Sequence, residues 1–284
     1  MTETWIHYDI ILNITGYLND KNNISLLSTN ILLHKMKNKI IYRDQVNINR
    51  IQYLWYIDQI INISITDDST LLYKIPKNVA NVTLHNNGTY NNIYSRPSIT
   101  HLTFDVEKYD TIKNCIPPNI THLVFKHFFD AKIKNYFPIS VTHLTFNAYG
   151  DSSIQNSIPL TVTHLSLGCC NYICNIKDCI PASVRYLRLN GHIVHIQGNI
   201  PLTVTHLIIG KKFSCFYRYF IPPSVTHLTF KIAVNQNILD NIPPSVTHLT
   251  FKIAFNQNIL DNIPRSIKKL TFTDREYNFN SLSK

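Results

Sequence analysis

The sequence predicts a parallel β-solenoid preceded by a short α-helical unit, and three observations predict it. Residues 221–241 are repeated as residues 242–262 with one difference, Val234 against Phe255. Related copies continue on both sides of this pair at intervals of 20 to 22 residues. Residues 1–45 lack this period and place apolar residues at helical spacing instead. A tandem array with a short fixed period is typical of a stacked solenoid.

Each copy carries one strand whose side chains alternate between two faces. The anchor position of a copy is usually His, apolar residues follow one and three positions later, and Val or Ile stands two positions earlier. The copy therefore reads apolar-x-x-apolar-x-apolar, the arrangement used by leucine-rich repeats. We predict a leucine-rich-repeat-like β-solenoid with a parallel β ladder of about ten copies. The anchors are Asn81, His101, His122, His143, His164, Tyr186, His206, His227, His248 and Lys269.

An Ile-Pro pair and a second apolar position predict the route back from each strand. Proline has no backbone N–H, so the Pro of the pair belongs at a bend before the strand and outside its ladder. The second apolar position can turn inward from the returning segment, whose conformation stays open between extended chain, 3₁₀ helix and short α-helix. These positions are Ile112, Ile133, Ile154, Ile176, Ile196, Ile238 and Ile259.

The chain is predicted to have four parts. The six residues from Ile60 fit the strand template nineteen residues before Asn81 and indicate a degenerate first repeat or cap. Stacked arrays need capped ends, because neighbouring copies share their buried faces. The predicted parts are a helical unit at 1–45, a linker with this cap at 46–74, the repeat solenoid at 75–273 and a frayed polar tail at 274–284.

The helical unit is predicted from two apolar runs separated by a polar break at residues 19–23. About 40 residues enclose little core, so this apolar surface is expected to pack on a partner or on the solenoid's end. The runs are Ile6, Ile10, Ile11, Ile14 and Leu18 before the break, and Ile24, Leu26, Leu27, Ile31, Leu32 and Met36 after it.

The chain is basic but has no dense basic block. Its net charge is +10 and its pI about 9.2, yet 15% of its residues are charged. Lys126, Lys231 and Lys252 each stand four residues after an anchor. An RNA-binding surface would need exposed aromatic rings between such lysines, whereas the phased Phe residues alternate to the other face. We do not expect nucleic acid as a partner.

The N-terminus lacks the basic and apolar regions of a secretory signal. No stretch of about 18 apolar residues predicts a membrane span. We therefore expect a soluble protein of the cytoplasm or nucleus, without a membrane partner.

The repeated histidines allow two hypotheses. On neighbouring parallel strands, anchors lie about 4.8 Å apart and form a column, where like charges at about 5 Å repel, so most imidazoles are expected to be neutral at pH 7. One hypothesis is a transition-metal strip or pH-sensitive surface, and the other is a stacked, hydrogen-bonded ladder. The ladder is favoured, because a metal needs convergent ligands whereas a column holds its rings parallel.

Neither a metal site nor an enzyme is predicted. The cysteines Cys169, Cys170, Cys174 and Cys179 lack the paired C-x-x-C spacing of structural zinc sites. Cys115 and Cys179 precede Ile-Pro pairs and are interpreted as small core side chains. The sequence has no G-x-S-x-G, P-loop or H-E-x-x-H motif. We predict no catalytic residue, cofactor or metal ligand.

Residues 6–18 and 24–30 resemble an F-box, the helical module that docks onto the Skp-type adaptor of cullin–RING ubiquitin ligases. The resemblance lies in an acidic residue, an Ile/Leu run and a closing Tyr-Leu pair, here Asp9, Ile10 to Leu12 and Tyr17-Leu18. It implies a Skp-type adaptor as partner. The implied adaptor contacts are Ile6, Ile10, Ile11, Leu12, Ile14, Leu18, Leu26 and Leu27.

The copies over about 75–273 resemble FNIP repeats, named for a Phe-Asn pair and a later Ile-Pro, here Phe255-Asn256 and Ile263-Pro264. F-box and FNIP architectures are familiar from amoebae and the large DNA viruses that infect them. The resemblance implies a substrate-recognition adaptor of an SCF-type ubiquitin ligase, acting in the host cell if viral. The alternative is a protein-binding scaffold whose helices cap the solenoid.

An unknown target protein is expected on the outward strand face, where residue identity varies from copy to copy. The predicted target contacts are His101, His122, His143, His164, Tyr186, Arg188, Asn190, His206, His227, His248, Lys126, Lys231 and Lys252.

Overall fold

The computed structural model divides the chain into two compact units, Met1–Asp105 and Val106–Lys284. Each unit is built around parallel strands that the repeat pattern predicts. The residues that the structure describes are 8–29, 31–51, 53–66, 75–85, 97–106, 116–129, 137–149, 154–168, 174–194, 196–211, 213, 220–233, 236–252, 263–272 and 275–278.

The first unit begins with two helices of about two turns each, α1 (Tyr8–Thr15) and α2 (Asp20–Ser28). One turn of helix, α3 (Ile31–His34), and a 3₁₀ helix (Lys35–Lys39) follow. The polar break predicted at residues 19–23 is wrong in extent, because α2 begins inside it. The Asn19 side chain accepts a hydrogen bond from the Asn22 N–H at 2.9 Å and caps α2. None of the described helices is long and apolar enough to span a bilayer.

These helices pack on the segment that leads into the first strands. Lys37 is buried; its Nζ donates to the Ser28 hydroxyl at 2.8 Å and lies 5.6 Å from the ring centre of Tyr56. The Tyr56 ring lies 5.3 Å from that of Tyr42, and Tyr42 is 2% exposed. The Asp20 carboxylate accepts a hydrogen bond from the Asp44 N–H. The helical segment therefore has its own apolar support within this unit.

Four parallel strands complete the first unit: β1 (Val46–Asn47), β2 (Asn62–Ile65), β3 (Asn81–Leu84) and β4 (His101–Phe104). Asn62 pairs with Asn81, and Asn81 pairs with His101. The strand predicted before the first anchor is thus confirmed. The short strand β1 lies beside β2 and was not predicted, since two residues are too few to show a period.

Within the described part of the second unit, eight parallel strands pair with one another, and their anchors lie in register. Two short strands pair as a separate sheet, and the last strand is antiparallel to its neighbour. The strands are β5 (His122–Phe129), β6 (His143–Tyr149), β7 (His164–Gly168), β8 (Cys174–Asn175), β9 (Tyr186–Asn190), β10 (Ile193–Val194), β11 (His206–Ile209), β12 (His227–Phe230), β13 (His248–Phe251), β14 (Lys269–Phe272) and β15 (Arg275–Asn278).

The C-terminal edge differs from the sequence prediction. A frayed polar tail was expected from residue 274, yet Arg275–Asn278 pairs with β14. The unpaired N–H and C=O groups at the edge of β14 explain this addition, because a following segment of any composition can satisfy them.

The core consists of one Leu column and one Phe/Leu column on the inner face of the strands. Leu144 is 1% exposed and Phe146 is fully buried. The rings of Phe125 and Phe146 stack with centres 5.1 Å apart at 8°. A slip by one residue would turn this whole set toward solvent, so burial fixes the register.

Turns of one kind precede the strands. In nine of the described turns, the N–H three residues after Pro donates to the Pro carbonyl, as from Val141 to Pro138 at 3.1 Å. Pro therefore opens a bend outside the ladder, as predicted. The residue two before Ile is left-handed in three copies, at Asn156 (φ 54°), Asp178 (φ 56°) and Gly198 (φ 75°). Gly, Asn and Asp are the residues that adopt this conformation most readily.

The return segments vary in conformation, which the sequence left open. One contains a helical turn, α4 (Gln236–Leu239), and two contain β8 and β10. Of the second apolar positions, Ile154, Ile176, Ile196 and Ile238 are buried as predicted. The remaining ones, Ile112, Ile133 and Ile259, lie outside the described residues.

Candidate functional site

The outward strand face of the second unit carries a continuous stack of rings, which we call the ring column: His122, His143, His164, Tyr186, His206, His227 and His248. Neighbouring ring centres lie 3.9 to 4.2 Å apart, at interplanar angles between 6° and 27°. Tyr186 continues the stack between His164 and His206. Because each face is covered by the next ring, the column presents ring edges to its surroundings.

A threonine before each histidine orients the imidazole. The Thr142 hydroxyl lies 2.9 Å from Nδ1 of His143 and 3.4 Å from the Thr121 carbonyl oxygen, and the same pair of contacts recurs at later copies. The hydroxyl donates to the carbonyl oxygen and lies within hydrogen-bond distance of Nδ1. These two contacts fix the orientation of the imidazole ring.

Burial and mutual proximity lower the pKa of three histidines of the column. Burial lowers the pKa of His164, and the adjacent His143 lowers it further. Burial also lowers the pKa of His206 and His227, with smaller contributions from other histidines of the column. In the first unit, burial lowers the pKa of His101, whose Nδ1 also meets a threonine hydroxyl.

Of the two histidine hypotheses, the structure shows the stacked, hydrogen-bonded ladder. Among the described residues, no group of three or more His, Cys, Asp or Glu side chains could hold a metal ion. Cys179 is 2% exposed, and its Sγ lies 3.3 Å from the Lys177 carbonyl oxygen, which fits the predicted core role. Cys115, Cys169 and Cys170 lie outside the described residues.

The column borders an open depression of about 220 Å³ on the same face. Tyr186 stands in the middle of its lining and is 42% exposed. Arg188, also in the lining, donates from Nε to the Asn190 side-chain oxygen at 3.2 Å. The copy that has Tyr186 in place of histidine therefore also contributes Arg188 to the lining of the depression.

Cationic side chains lie on the same face. The pKa of Lys231 is lowered first by burial, then by the positive charges of Arg188 and Lys252. These three residues come from different copies, and the strand order places Lys231 between Arg188 and Lys252, whose positive charges both act on it. Lys126 is exposed on β5, away from this group.

The sequence analysis missed a row of exposed apolar side chains that directly follow the Pro in seven of the described turns. Ile139 is 85%, Leu160 75% and Leu202 70% exposed. The sequence contains a signal for this row, because core packing does not explain an apolar residue in a turn that faces solvent. We call this set the turn row: Pro118, Ile139, Leu160, Ala182, Leu202, Pro223 and Pro244.

The residues predicted to contact an adaptor differ in solvent exposure. Leu12 and Ile14 are 36% and 43% exposed, and the unpredicted Tyr17 is 93% exposed. Leu27 is fully buried, so its predicted contact is corrected: its side chain belongs to the core of the first unit. Ile11, Leu18 and Leu26 are half-buried; Ile6 and the Ile10 side chain lie outside the described residues.

FNIP repeats are found in this chain. The FNIP Repeat model matches residues 110–149, 129–170, 195–231 and 235–275. These segments contain seven of the ten anchors, so the count of about ten FNIP copies is corrected to about seven. The anchors Asn81, His101 and Tyr186 lie outside the matches, although their strands keep the same register.

Two solved structures resemble the chain. The circular leucine-rich-repeat protein CroV588 is 26% identical, with a TM-score of 0.51, over 76% of this chain and 37% of that protein. This chain therefore spans well under half of its length. The leucine-rich-repeat-containing protein LegL7 from Legionella pneumophila is 15% identical, with a TM-score of 0.40, over 75% of this chain and 92% of that one. A comparison with curated proteins found no match. The fold is a parallel β-solenoid with leucine-rich-repeat-like neighbours.

Proposed function

We propose that this protein is a protein-binding scaffold and that its partner docks on the outward strand face of the second unit. The observation that carries the proposal is the ring column with the adjacent depression at Tyr186. A rigid core holds these side chains at a fixed repeat, and the departures from regularity at Tyr186 and Arg188 supply specificity. The role is binding and requires no catalytic residue.

Site-specific photocrosslinking tests this function. Benzoylphenylalanine is placed at Tyr186 in the full chain, and as a matched control at the exposed Lys177, which lies in a return turn. In extract from cells that express the protein, a discrete crosslinked partner is expected from position 186 and not from 177. Equal crosslinking from both positions, or none from 186, would refute a partner on this face.

A second candidate function is the recognition subunit of an SCF-type ubiquitin ligase, in which the first unit docks a Skp-type adaptor. The observation that favours it is the exposure of Leu12, Ile14, Tyr17 and Ile24 on or beside α1 and α2. Exposed apolar side chains on short helices suit a helical partner. The packing of Lys37 on Tyr56 supports the alternative, in which the helices cap the solenoid. The same helices can cap the solenoid and dock an adaptor.

Full-length chain is tested for capture of a purified Skp-type adaptor. Leu12→Asp combined with Ile14→Asp is expected to lower the adaptor's affinity at least about tenfold. Asn13→Asp is the matched control, because Asn13 is exposed on the same helix. Retained binding by the double variant, or no binding by the unmodified chain, would leave the helices with a capping role.

A further inference from the structure

The outward positions on the parallel strands of the second unit carry charge of one sign. Read from His122 to Thr271, these positions are the anchors and the residues two and four places after them. They contain no Asp or Glu and five cations: Lys126, Arg188, Lys231, Lys252 and Lys269. The register adds one acidic residue, Glu276, opposite Thr271 on the edge strand. The cations that lie further from this edge are Arg188, Lys231 and Lys252.

From these observations we infer that the docked partner presents an acidic polypeptide segment to Arg188, Lys231 and Lys252. This inference rests on the proposed binding function and adds the chemistry of the partner. Neither Lys231 nor Lys252 pairs with a carboxylate within the part of the chain that the structure describes. Carboxylates supplied by a partner would interact favourably with these three cations, which lie on the same face.

The span of the cluster favours a polypeptide over a small anion. Arg188 lies on β9, and Lys252 directly follows β13. The sheet order β9, β11, β12, β13 separates them by three strand spacings, about 14 Å. A segment with several carboxylates can reach all three cations at once, whereas one phosphate or carboxylate group cannot.

The geometry of the ring column favours a protein segment over single-stranded nucleic acid as the partner. Single-stranded nucleic acid gains much of its affinity by stacking bases on open aromatic faces. Here those faces are covered by neighbouring rings about 4 Å away, as between His206 and His227 at 4.1 Å. The column therefore offers ring edges and no open aromatic face on which a base could stack.

Fluorescence anisotropy with the full chain tests the inference. The probes are a labelled peptide in which Glu alternates with Ser, the same peptide with Gln for Glu, and oligo-dT of equal length. Binding is measured at low salt, about 50 mM, where charge attraction is weakly screened. The Glu peptide is expected to bind at least about tenfold more tightly than either control probe.

Matched charge reversals locate the site. Lys231→Glu with Lys252→Glu is expected to weaken Glu-peptide binding about tenfold. Lys177→Glu with Arg265→Glu changes the net charge equally at exposed positions off the strand face and is expected to leave affinity within about twofold.

Equal losses in the two double variants would overturn the inference, since binding would then follow net charge. So would absent Glu-peptide binding, or oligo-dT binding that equals or exceeds it. If any of these results accompanies a specific crosslink from position 186, the scaffold function stands and the acidic-partner inference fails.

Discussion

Single residues decide how the outward face behaves. A threonine hydroxyl at 2.9 Å from Nδ1 orients His143, His164, His227 and His248 in the same way. This fixed orientation lets the rings stack at about one strand spacing.

The ring column makes stability depend on pH. The folded pKa values of His164, His206 and His227 lie below their ordinary value. As pH falls through about 6.5, the unfolded chain takes up protons that the folded array resists, so stability is lost. The melting temperature measured by circular dichroism is expected to fall between about pH 7.5 and pH 5.5.

His206→Gln with His227→Gln is the control for this prediction. It is expected to reduce the pH dependence, because two of the resisting groups no longer titrate, whatever its effect on stability at neutral pH. A melt of the unmodified chain that is unchanged over this pH range would contradict the prediction.

Replacement of Gly168 is predicted to destabilise the fold, because a Cβ there would lie 2.7 Å from the backbone carbonyl carbon of Asn147. Gly168→Ala is expected to lower the free energy of unfolding by about 1–3 kcal/mol, measured by urea denaturation. The comparison is Gly198→Asn, expected to cost within about 0.5 kcal/mol. Gly198 has φ 75° with open space beside it, and Asn156 adopts this conformation at the equivalent place. Equal losses would show that crowding is not the cause.

At the scale of the strand, the alternating pattern predicts which side chains carry stability. Leu144 is 1% exposed in the core, and Leu160 is 75% exposed in the turn row. Leu144→Ala is expected to cost about 2–5 kcal/mol and Leu160→Ala within about 0.5 kcal/mol, both by urea denaturation. A large loss for Leu160→Ala would mean that the turn row is buried, for instance by self-association, which sedimentation would reveal.

The elements that the sequence misplaced are those with little periodicity. The start of α2 depends on the Asn19 side chain, so a polar run that resembles a loop belongs to a helix. The strand Arg275–Asn278 exists through its pairing with β14, and its four residues are too few to show a pattern. The described return segments likewise differ in conformation, although Ile154, Ile176, Ile196 and Ile238 are all buried.

At the scale of the whole molecule, a stack of near-identical coils should tolerate the removal of one coil. Deleting residues 242–262 joins Asn241 to Ile263 in phase and keeps every anchor in register. The shortened chain is expected to fold with lower stability, as judged by circular dichroism and thermal melting. Deleting residues 242–251 removes a strand and breaks the phase, and is expected to abolish the cooperative melt of the second unit. Similar outcomes for both deletions would argue against phase-locked packing.

The sequence by itself determined the position of each strand, its inner and outer faces and the bend at each Pro. A period of two within strands and about 21 along the chain is written in local residue order. Tertiary structure alone decided that Leu27 is buried, that a depression lies beside Tyr186 and that Arg275–Asn278 pairs with β14. These features depend on lateral distances and side-chain orientations between coils, which exist once neighbouring strands have taken their register.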